Sequence, residues 1–218
     1  MLLKQQILSA ARATEIPTGD SGLWYIRKDM IPPNGGIYRD GYGIVEVPGG
    51  TYTHLLRWTD ATIHLGRGEC VMEDTPHELQ KHLDFMLKAH GRVLITGLGL
   101  GCVTRGTLTN PRVTHVTVIE NSPDVMKLVW PHMPRDQRLE IIQAEAEKWI
   151  ETTSERFDCV WHDLWTDTNA GEEHLALKHS RMIAKMAPRT PLQGAWAMPR
   201  WFRRAAREQN SRIACEVI

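Results

Sequence analysis

Hydrophobic and polar positions change their spacing near residue 73, and this change divides the sequence into two parts. Before it, short apolar runs punctuated by Gly and Pro follow a short amphipathic helix, which predicts a helix and a β-rich segment over residues 1–73. After it, nearly continuous apolar runs alternate with helical patterns, as in a parallel sheet covered on both faces. We therefore predict an α/β fold, with a doubly wound, Rossmann-like, mostly parallel sheet over residues 74–218.

Turn residues locate two hairpins in the first part. The stretch "GIVEVPGGTYTHLLRW", residues 43–58, predicts two strands around a Pro-Gly-Gly turn. A second hairpin is expected to turn at the Gly-Arg-Gly of residues 66–68.

The second part opens with a strongly marked helix. Thr75 is the predicted N-cap, Pro76 occupies the first helical position, and Glu78 completes a capping box. Gly91 is expected to end the helix. Its apolar face comprises Leu79, Leu83, Met86 and Leu87.

The remaining pattern predicts alternating strands and helices, closed by a basic helix over residues 200–210 and a last strand over residues 212–218. The predicted strands are residues 92–96, 115–120, 139–144, 157–163 and 192–199. The predicted helices between them start near residue 101 and cover residues 122–130, 145–151 and 172–186.

Composition narrows the possible functions. The 26 basic and 26 acidic side chains balance to zero, which disfavours nucleic-acid binding by overall phosphate neutralisation. The four cysteines are scattered without a Cys-x-x-Cys pair, so we expect reduced thiols in a cytoplasmic protein. Ten histidines show no paired ligand spacing, so no metal is expected. No window is apolar enough for a membrane span, and no membrane association is expected.

The stretch "GRVLITGLGLG", residues 91–101, carries the first chemical signal. Three glycines spaced by two follow a predicted buried strand. Gly97 permits a positive φ, Gly99 lets a ligand approach the backbone, and Gly101 allows a tight start to the next helix. A dinucleotide fingerprint would require Gly or Ala at Cys102. The G-x-G-x-G form fits the first motif of class I S-adenosylmethionine-dependent methyltransferases, and we include Leu98 in the predicted cofactor site.

Acids follow the next three predicted strands. Glu120 can accept both hydroxyls of a ribose, as it would for a nicotinamide cofactor, and Asn121 adjoins it. Glu145 can take an adenine amino group, with the Ala146 amide facing the ring. Asp163 follows the fourth strand, where it can orient an ammonium group or act as a general base.

Asp167 or His162 is expected to support Asp163. The alternative for both Asp163 and Asp167 is a helix N-cap.

From about residue 70 to residue 198 the chain resembles the spermidine-synthase-like branch of the class I methyltransferase fold. "RLEIIQAEAEKWI" and "FDCVWHDLWTD" stand in register with that branch's "RVEVVVGDGREFL" and "YDVIIVDSSDP". The resemblance implies an adenosyl-sulfonium site lined by Gly97, Gly99, Gly101, Glu120, Glu145 and Asp163.

Departures from the family pattern shift the expected reaction. Leu100 stands where aminopropyltransferases have an Asp that receives the aminopropyl ammonium, and Glu145 replaces the usual Asp. An Asp at position 100 would repel the carboxylate of intact S-adenosylmethionine. We therefore expect S-adenosyl-L-methionine as cofactor and methyl transfer as the reaction. The alternatives are aminopropyl transfer and a non-catalytic S-adenosylmethionine-binding module.

The acceptor pocket is expected to have walls from residues 40–75 and from the loop after Asp163. Trp165 beside carboxylates suits a small amine-containing acceptor. Nucleic acid, docked on the basic face of residues 200–207, is the less favoured partner. The sequence is also compatible with a homodimer. The carboxylates near Trp165 are Asp163, Asp167, Glu172 and Glu173.

Overall fold

The computed structural model describes residues 2–40, 43–64, 66, 68–164, 179 and 181–195. The helices are α1 Leu2–Ala10, α2 Asp60–Ile63, α3 Pro76–Lys88, α4 Cys102–Leu108, α5 Pro123–Val129 and α6 Ala146–Thr152. A 3-10 turn covers Trp130–His132, and residues 181–186 are helical. The strands are β1 Gly19–Ser21, β2 Trp24–Ile31, β3 Gly36–Asp40, β4 Gly43–Val47, β5 Gly50–Arg57, β6 Glu69–Glu73, β7 Gly91–Thr96, β8 Val113–Glu120, β9 Leu139–Gln143, β10 Cys159–His162 and β11 Leu192–Ala195.

A five-stranded parallel sheet forms the centre of the fold, in the order β11-β10-β7-β8-β9. Its strands are buried on both faces. Val93 and Ile95 join one hydrophobic cluster, whereas Leu94 joins a second cluster with Ile150 of α6 and Met182. The predicted doubly wound α/β fold is confirmed. The strand order reverses beside β7, and ligands of such sheets bind at that point, beyond the carboxyl ends of the strands.

An antiparallel sheet of order β1-β2-β5-β6 precedes the parallel sheet, so the expected β-rich N-terminal segment is confirmed. The expected hairpin turning at residues 66–68 is wrong: β6 pairs antiparallel with β5, which ends at Arg57, and the connection between them includes α2. The Pro-Gly-Gly hairpin is wrong: β4 pairs with β3, and β5 pairs with β2.

The physical reason for this difference lies at Gly49. A methyl group on Gly49 would lie 2.5 Å from the Pro32 carbonyl oxygen, so the two turns pack against each other. The pairing of Ile31 with Gly50 continues beyond the bend as the pairing of Gly36 with Val47. Residues 48–50 therefore form one side of a bend in a long two-stranded ribbon, where a hairpin turn was predicted.

Helix α3 begins at the residues that its sequence predicts, and Thr75 is its N-cap. The Thr75 hydroxyl accepts a hydrogen bond from the Glu78 amide at 3.3 Å, and Pro76 is the first helical residue. The helix ends at Lys88, and Gly91, with φ of +60°, begins β7, so the prediction that Gly91 ends the helix is wrong.

Helix α1 packs on α3 and α4, which brings the N-terminal residues into the main core. No helix among the described residues has the length and apolar character needed to cross a bilayer. The predicted basic helix over residues 200–210 and last strand over residues 212–218 lie outside the described residues.

Candidate functional site

A cavity of about 340 Å³ lies at the carboxyl ends of β7, β8 and β10, where the strand order reverses. This volume is within the range of small-molecule sites. The parallel-sheet side contributes seven of the nine predicted site residues, namely Gly97, Gly99, Glu120, Asn121, Glu145, Ala146 and Asp163. The opposite wall comes from the antiparallel sheet, through Trp24, Leu55, Arg57, Val71 and Met72.

All three glycines of the loop have positive φ, at +97° for Gly97, +51° for Gly99 and +75° for Gly101. The Gly101 amide donates to the Leu98 carbonyl at 2.7 Å and closes the turn. A side chain at Gly97 would overlap the backbone carbonyl of Asp163. The loop therefore has the tight strand-to-helix geometry that its spacing predicts.

The neighbour of Gly99 differs from the expected one. A methyl group on Gly99 would lie 2.5 Å from the Met72 sulfur, so β6 closely approaches the backbone where we expected a ligand. Gly101 packs in the same way against Met133. Leu98 and Gly101 are not among the described residues that line the cavity, and Leu98 contributes a backbone amide instead of a side chain.

Glu120 is buried at the end of β8 and joins two loops. Its Oε2 accepts a hydrogen bond from the Leu98 amide at 2.8 Å, and its Oε1 accepts one from the Ser122 amide at 2.7 Å. Burial raises the pKa of Glu120, against the opposing effect of these amide donors. The Asn121 backbone amide acts as a third donor, and because a carboxylate offers about four acceptor sites, the side chain can still accept a hydroxyl group of a ligand.

Glu145 and Asn121 meet across the rim of the cavity. The Asn121 amide nitrogen donates to Glu145 Oε2 at 3.0 Å. Glu145 occupies the N-cap position of α6, and the buried Ala146 is the first residue of that helix. The turns after β8 and β9 are thus joined, and both face the cavity.

Asp163 lies directly after β10, and its amide donates to the Thr96 carbonyl at 2.8 Å. Burial raises the pKa of Asp163, and the charge of His82 opposes this rise. His82, on α3, is fully buried, with Nε2 lying 3.4 Å from Glu78 Oε1. The charge of His82 therefore favours the carboxylate form of Asp163.

The prediction that His162 supports Asp163 is wrong. His162 points into the core, with Nδ1 lying 3.2 Å from the Thr96 hydroxyl and Nε2 lying 3.4 Å from Gln193 Oε1. Burial lowers the pKa of His162 to about 3, so the ring is neutral. Adjacent residues of a strand point to opposite sides, which separates His162 from Asp163. The sequence does contain one indication of the His82–Glu78 contact. His82 lies four residues after Glu78, beside the apolar face of α3, so the two side chains are neighbours on the helix.

Arg57 places a positive charge on the wall opposite the acids. Arg57 and Trp24 are paired across β5 and β2, and the guanidinium lies 5.4 Å from the centre of the Trp24 ring. Residues 40–75 contribute Leu55, Arg57, Val71 and Met72 to the cavity wall, and the assignment of this wall to an acceptor pocket stays a prediction. Trp24 lies outside that range and was not predicted.

The loop after Asp163 contributes Leu164 to the cavity. The remaining predicted acceptor residues lie outside the described residues, namely Trp165, Asp167, Glu172 and Glu173.

Comparison with known proteins gives partial matches. A scan against protein-family models finds no match. The chain is 29% identical to the polyamine aminopropyltransferase of Pseudomonas syringae pv. tomato over 106 residues, which cover 44% of this chain and 36% of that protein. It is 32% identical to polyamine aminopropyltransferase 2 of Ralstonia nicotianae over 87 residues, 36% of this chain and 17% of that protein. The chain resembles the spermidine-synthase-like branch of the class I superfamily.

The matched segment spans about a third or less of the length of these transferases. Among solved structures, spermidine synthase from Thermotoga maritima is 19% identical, with 66% of this chain and 46% of that chain covered and a TM-score of 0.38. The N-methyltransferase NodS from Bradyrhizobium japonicum WM9 is 16% identical, with 52% and 61% covered and a TM-score of 0.41.

Proposed function

We propose that this protein is an S-adenosylmethionine-dependent methyltransferase whose acceptor is a small amine-containing molecule. The observation that carries the proposal is that Asp163 and Arg57 line the same cavity at the carboxyl edge of the sheet. An α-amino acid group presents an ammonium and a carboxylate together. A carboxylate and a guanidinium in one cavity are therefore suited to the methionine arm of intact S-adenosylmethionine.

The rest of the cavity suits the adenosine half. Glu120, held by the Leu98 and Ser122 amides, would accept ribose hydroxyls. The Glu145 carboxylate, oriented by Asn121, would accept the adenine amino group beside Ala146. These roles follow from the donor and acceptor types of the lining residues.

In the proposed reaction, the acceptor nitrogen attacks the methyl carbon with its lone pair. The carbon–sulfur bond breaks, and its electrons return to sulfur to give S-adenosylhomocysteine. The proton released from nitrogen passes to Asp163 or to water. Alignment of nitrogen, methyl and sulfur supplies most of the rate enhancement, because no covalent enzyme intermediate is needed.

Aminopropyl transfer is the second candidate, since the curated relatives are named polyamine aminopropyltransferases. A decarboxylated cofactor has no carboxylate to pair with Arg57. Leu100 is fully buried, and its amide donates to the Met72 sulfur at 3.1 Å. The loop therefore has an apolar side chain at the position where the resemblance implies an acid in aminopropyltransferases.

The proposal is tested with the purified full chain. Calorimetry with S-adenosylmethionine, S-adenosylhomocysteine, decarboxylated S-adenosylmethionine and NAD identifies the cofactor. Methyl-labelled cofactor incubated with amine metabolites, RNA and DNA then identifies the acceptor, with Asp163→Asn as the active-site variant. We expect label in an amine pool and a large loss of rate in Asp163→Asn.

Each other outcome replaces the proposal with a stated alternative. Transfer from decarboxylated cofactor to putrescine alone would establish aminopropyl transfer. Tight binding of S-adenosylmethionine without labelling of any pool would establish a non-catalytic module. Label in RNA or DNA that is lost in an Arg203/Arg204 double alanine variant would establish a nucleic-acid methyltransferase.

A further inference from the structure

Three side chains with metal-binding atoms converge on the antiparallel sheet: His54 of β5 with Cys70 and Glu73 of β6. His54 Nδ1 lies 3.8 Å from the Cys70 sulfur and 3.5 Å from Glu73 Oε2. One ligand atom from each of the three residues lies within 4.8 Å of the others. No two of these residues are adjacent in sequence, so ligand spacing along the chain could not reveal the cluster.

A β-bulge creates this convergence. Cys70 and Glu73 are three positions apart, so a regular strand would place them on opposite faces. The register of β5 with β6 shifts between Leu55 and Leu56: Leu55 pairs with Met72 and Leu56 pairs with Cys70. Val71 is the extra residue, and it returns the Cys70 side chain to the face that carries His54 and Glu73. Bulges that redirect a side chain are frequent next to functional sites.

Two of the three ligand separations lie close to those around a tetrahedral zinc ion. Zinc–sulfur bonds of about 2.3 Å and zinc–nitrogen or zinc–oxygen bonds of about 2.0–2.2 Å give tetrahedral edges of about 3.4–3.6 Å. The His54–Glu73 separation of 3.5 Å lies on this edge, and the His54–Cys70 separation of 3.8 Å is slightly longer. The Cys70 sulfur lies within 4.8 Å of a Glu73 oxygen, so closing the third edge requires the Cys70 side chain to move toward Glu73.

Two neighbours orient the candidate ligands. Asp29 Oδ2 lies 3.3 Å from His54 Nε2, so a carboxylate backs the imidazole on the side away from the cluster. The Thr75 hydroxyl donates to Glu73 Oε1 at 2.7 Å, which directs the other oxygen toward His54. Such outer contacts are typical of protein metal sites.

Glu73 Oε2 supplies an independent sign of a missing partner. This oxygen is buried and accepts no hydrogen bond from the described residues. A buried carboxylate oxygen without a hydrogen-bond donor destabilises the fold, because its lost hydration is not replaced. A bound cation would replace that hydration.

We propose that His54, Cys70 and Glu73 form a zinc site with three protein ligands and a fourth position open to solvent. On binding, the Cys70 thiol releases its proton to solvent and its sulfur bonds to zinc. Thiolate, imidazole and carboxylate are the ligand types that zinc prefers. The Arg27 guanidinium is held by Asp29 at 2.7 Å, so the ligands retain two negative charges for the dication.

The site is separate from the cofactor cavity. Strands β2 and β5 pair Arg27 with His54 and Trp24 with Arg57, so the two sets of residues alternate along the same strands. Trp24, Leu55 and Arg57 face the cavity, whereas Asp29 and His54 belong to the other face. The zinc proposal therefore stands independently of the proposed function.

The test uses the full chain stripped of metal with EDTA. Titration with Zn²⁺ against a chromophoric chelator gives stoichiometry and affinity. Titration with Co²⁺ reports a thiolate ligand through its charge-transfer absorption. We expect one zinc per chain, at least about 100-fold weaker binding in Cys70→Ser, and about 10-fold weaker binding in Asp29→Asn. The control is Cys159→Ser, which alters a buried thiol next to His90 and should keep both affinity and spectrum.

The same zinc titrations can also refute the proposed site. Cys70→Ser alters an exposed residue and should fold, as circular dichroism can confirm. Wild-type protein that binds no zinc at one equivalent would overturn the site, as would a Cys70→Ser variant with unchanged zinc affinity. Binding that is lost in Cys70→Ser but unchanged in Glu73→Gln and His54→Asn would show a lone thiol and overturn the three-ligand arrangement.

Discussion

The backbone amide of Leu98 donates a 2.8 Å hydrogen bond to the carboxylate of Glu120. This bond joins the glycine loop after β7 to the end of β8, the neighbouring strand. The acid that would hold a ribose therefore also fixes the loop in front of it. A change at Glu120 should affect both the fold and ligand binding.

Glu120→Gln is expected to lower the free energy of unfolding by about 1–3 kcal/mol. A glutamine keeps one acceptor oxygen but sets an NH2 group against one of the two amide donors, from Leu98 or Ser122. Urea unfolding of the wild type and the variant measures the loss. The matched control is Glu140→Gln at an exposed position, where the contacts with His115 and Thr117 are screened by water and a loss below about 1 kcal/mol is expected. Equal losses at both positions would contradict the role of Glu120.

The parallel sheet was predictable because each signal for it is local. Buried apolar runs such as residues 92–96 predict strands, and Thr75 with Pro76 marks the start of a helix. Right-handed crossovers and short connections then leave few topologies for such an alternation. The acids after successive strands meet at one edge of the sheet for the same reason.

Alanine substitutions at two glycines of the loop should differ in their effect on stability, because one new methyl group would meet backbone and the other a side chain. Gly97→Ala would drive a methyl group into the Asp163 carbonyl at φ of +97°, and neither strand end can move away. Gly99→Ala meets only the flexible Met72 side chain, at φ of +51°. We expect Gly97→Ala to prevent folding or cost more than about 3 kcal/mol, and Gly99→Ala to cost about 1–3 kcal/mol.

A double-mutant cycle tests whether Met72 causes the loss of stability expected for Gly99→Ala. Met72→Ala shortens the side chain that the new methyl group meets, so Gly99→Ala should cost less in that background than in the wild type. Thermal unfolding of the four proteins measures the coupling. Additive costs would show that the strain comes from φ alone and that Met72 does not restrict the loop.

Arg57→Met should separate the two candidate cofactors. The substitution keeps an unbranched side chain beside Trp24 but removes the charge on the cavity wall. We expect affinity for S-adenosylmethionine to fall about 10-fold or more, and affinity for decarboxylated S-adenosylmethionine to stay the same, because only the former has a carboxylate. Calorimetry with both ligands measures this. Arg156→Met, at an exposed position before β10, is the control. Equal losses for both ligands would refute pairing of Arg57 with the carboxylate.

The contacts between antiparallel strands that sequence reasoning missed depend on long-range register. Trp24 meets Arg57 only because β2 and β5 pair with those residues opposite each other. Cys70 joins His54 only through the bulge at Val71. The pairing of β4 with β3 depends on the packing of Gly49 against Pro32. The local hydrophobic pattern does not predict any of these contacts, because each one depends on how residues far apart in the sequence pair in the folded protein.

The buried Glu78–His82 pair gives a prediction about pH and stability. Burial disfavours both charges, yet contact with His82 and Lys81 lowers the pKa of Glu78 to about 2. Burial likewise opposes the charge of His82, but the Glu78 contact and the charge of Asp163 raise its pKa above the usual 6.5. The stabilising effect of His82 is therefore fully present below pH 6.5 and is lost as pH rises through its folded pKa. The effect of Glu78 is present above pH 4.5 and is lost as pH falls toward 2.

We therefore expect the His82 contribution to the free energy of unfolding, measured as the difference between the wild type and His82→Gln, to decline as pH rises above about 6.5, the unfolded His value. His82→Gln cannot release this proton, so its unfolding free energy should lie below that of the wild type near pH 6 and approach it at alkaline pH. Urea unfolding across this range measures the difference between the two curves. His64→Gln, at an exposed position, should keep the wild-type slope. A His82→Gln curve parallel to that of the wild type would show that His82 is neutral beside Asp163, and the electrostatic support assigned to it would then be wrong.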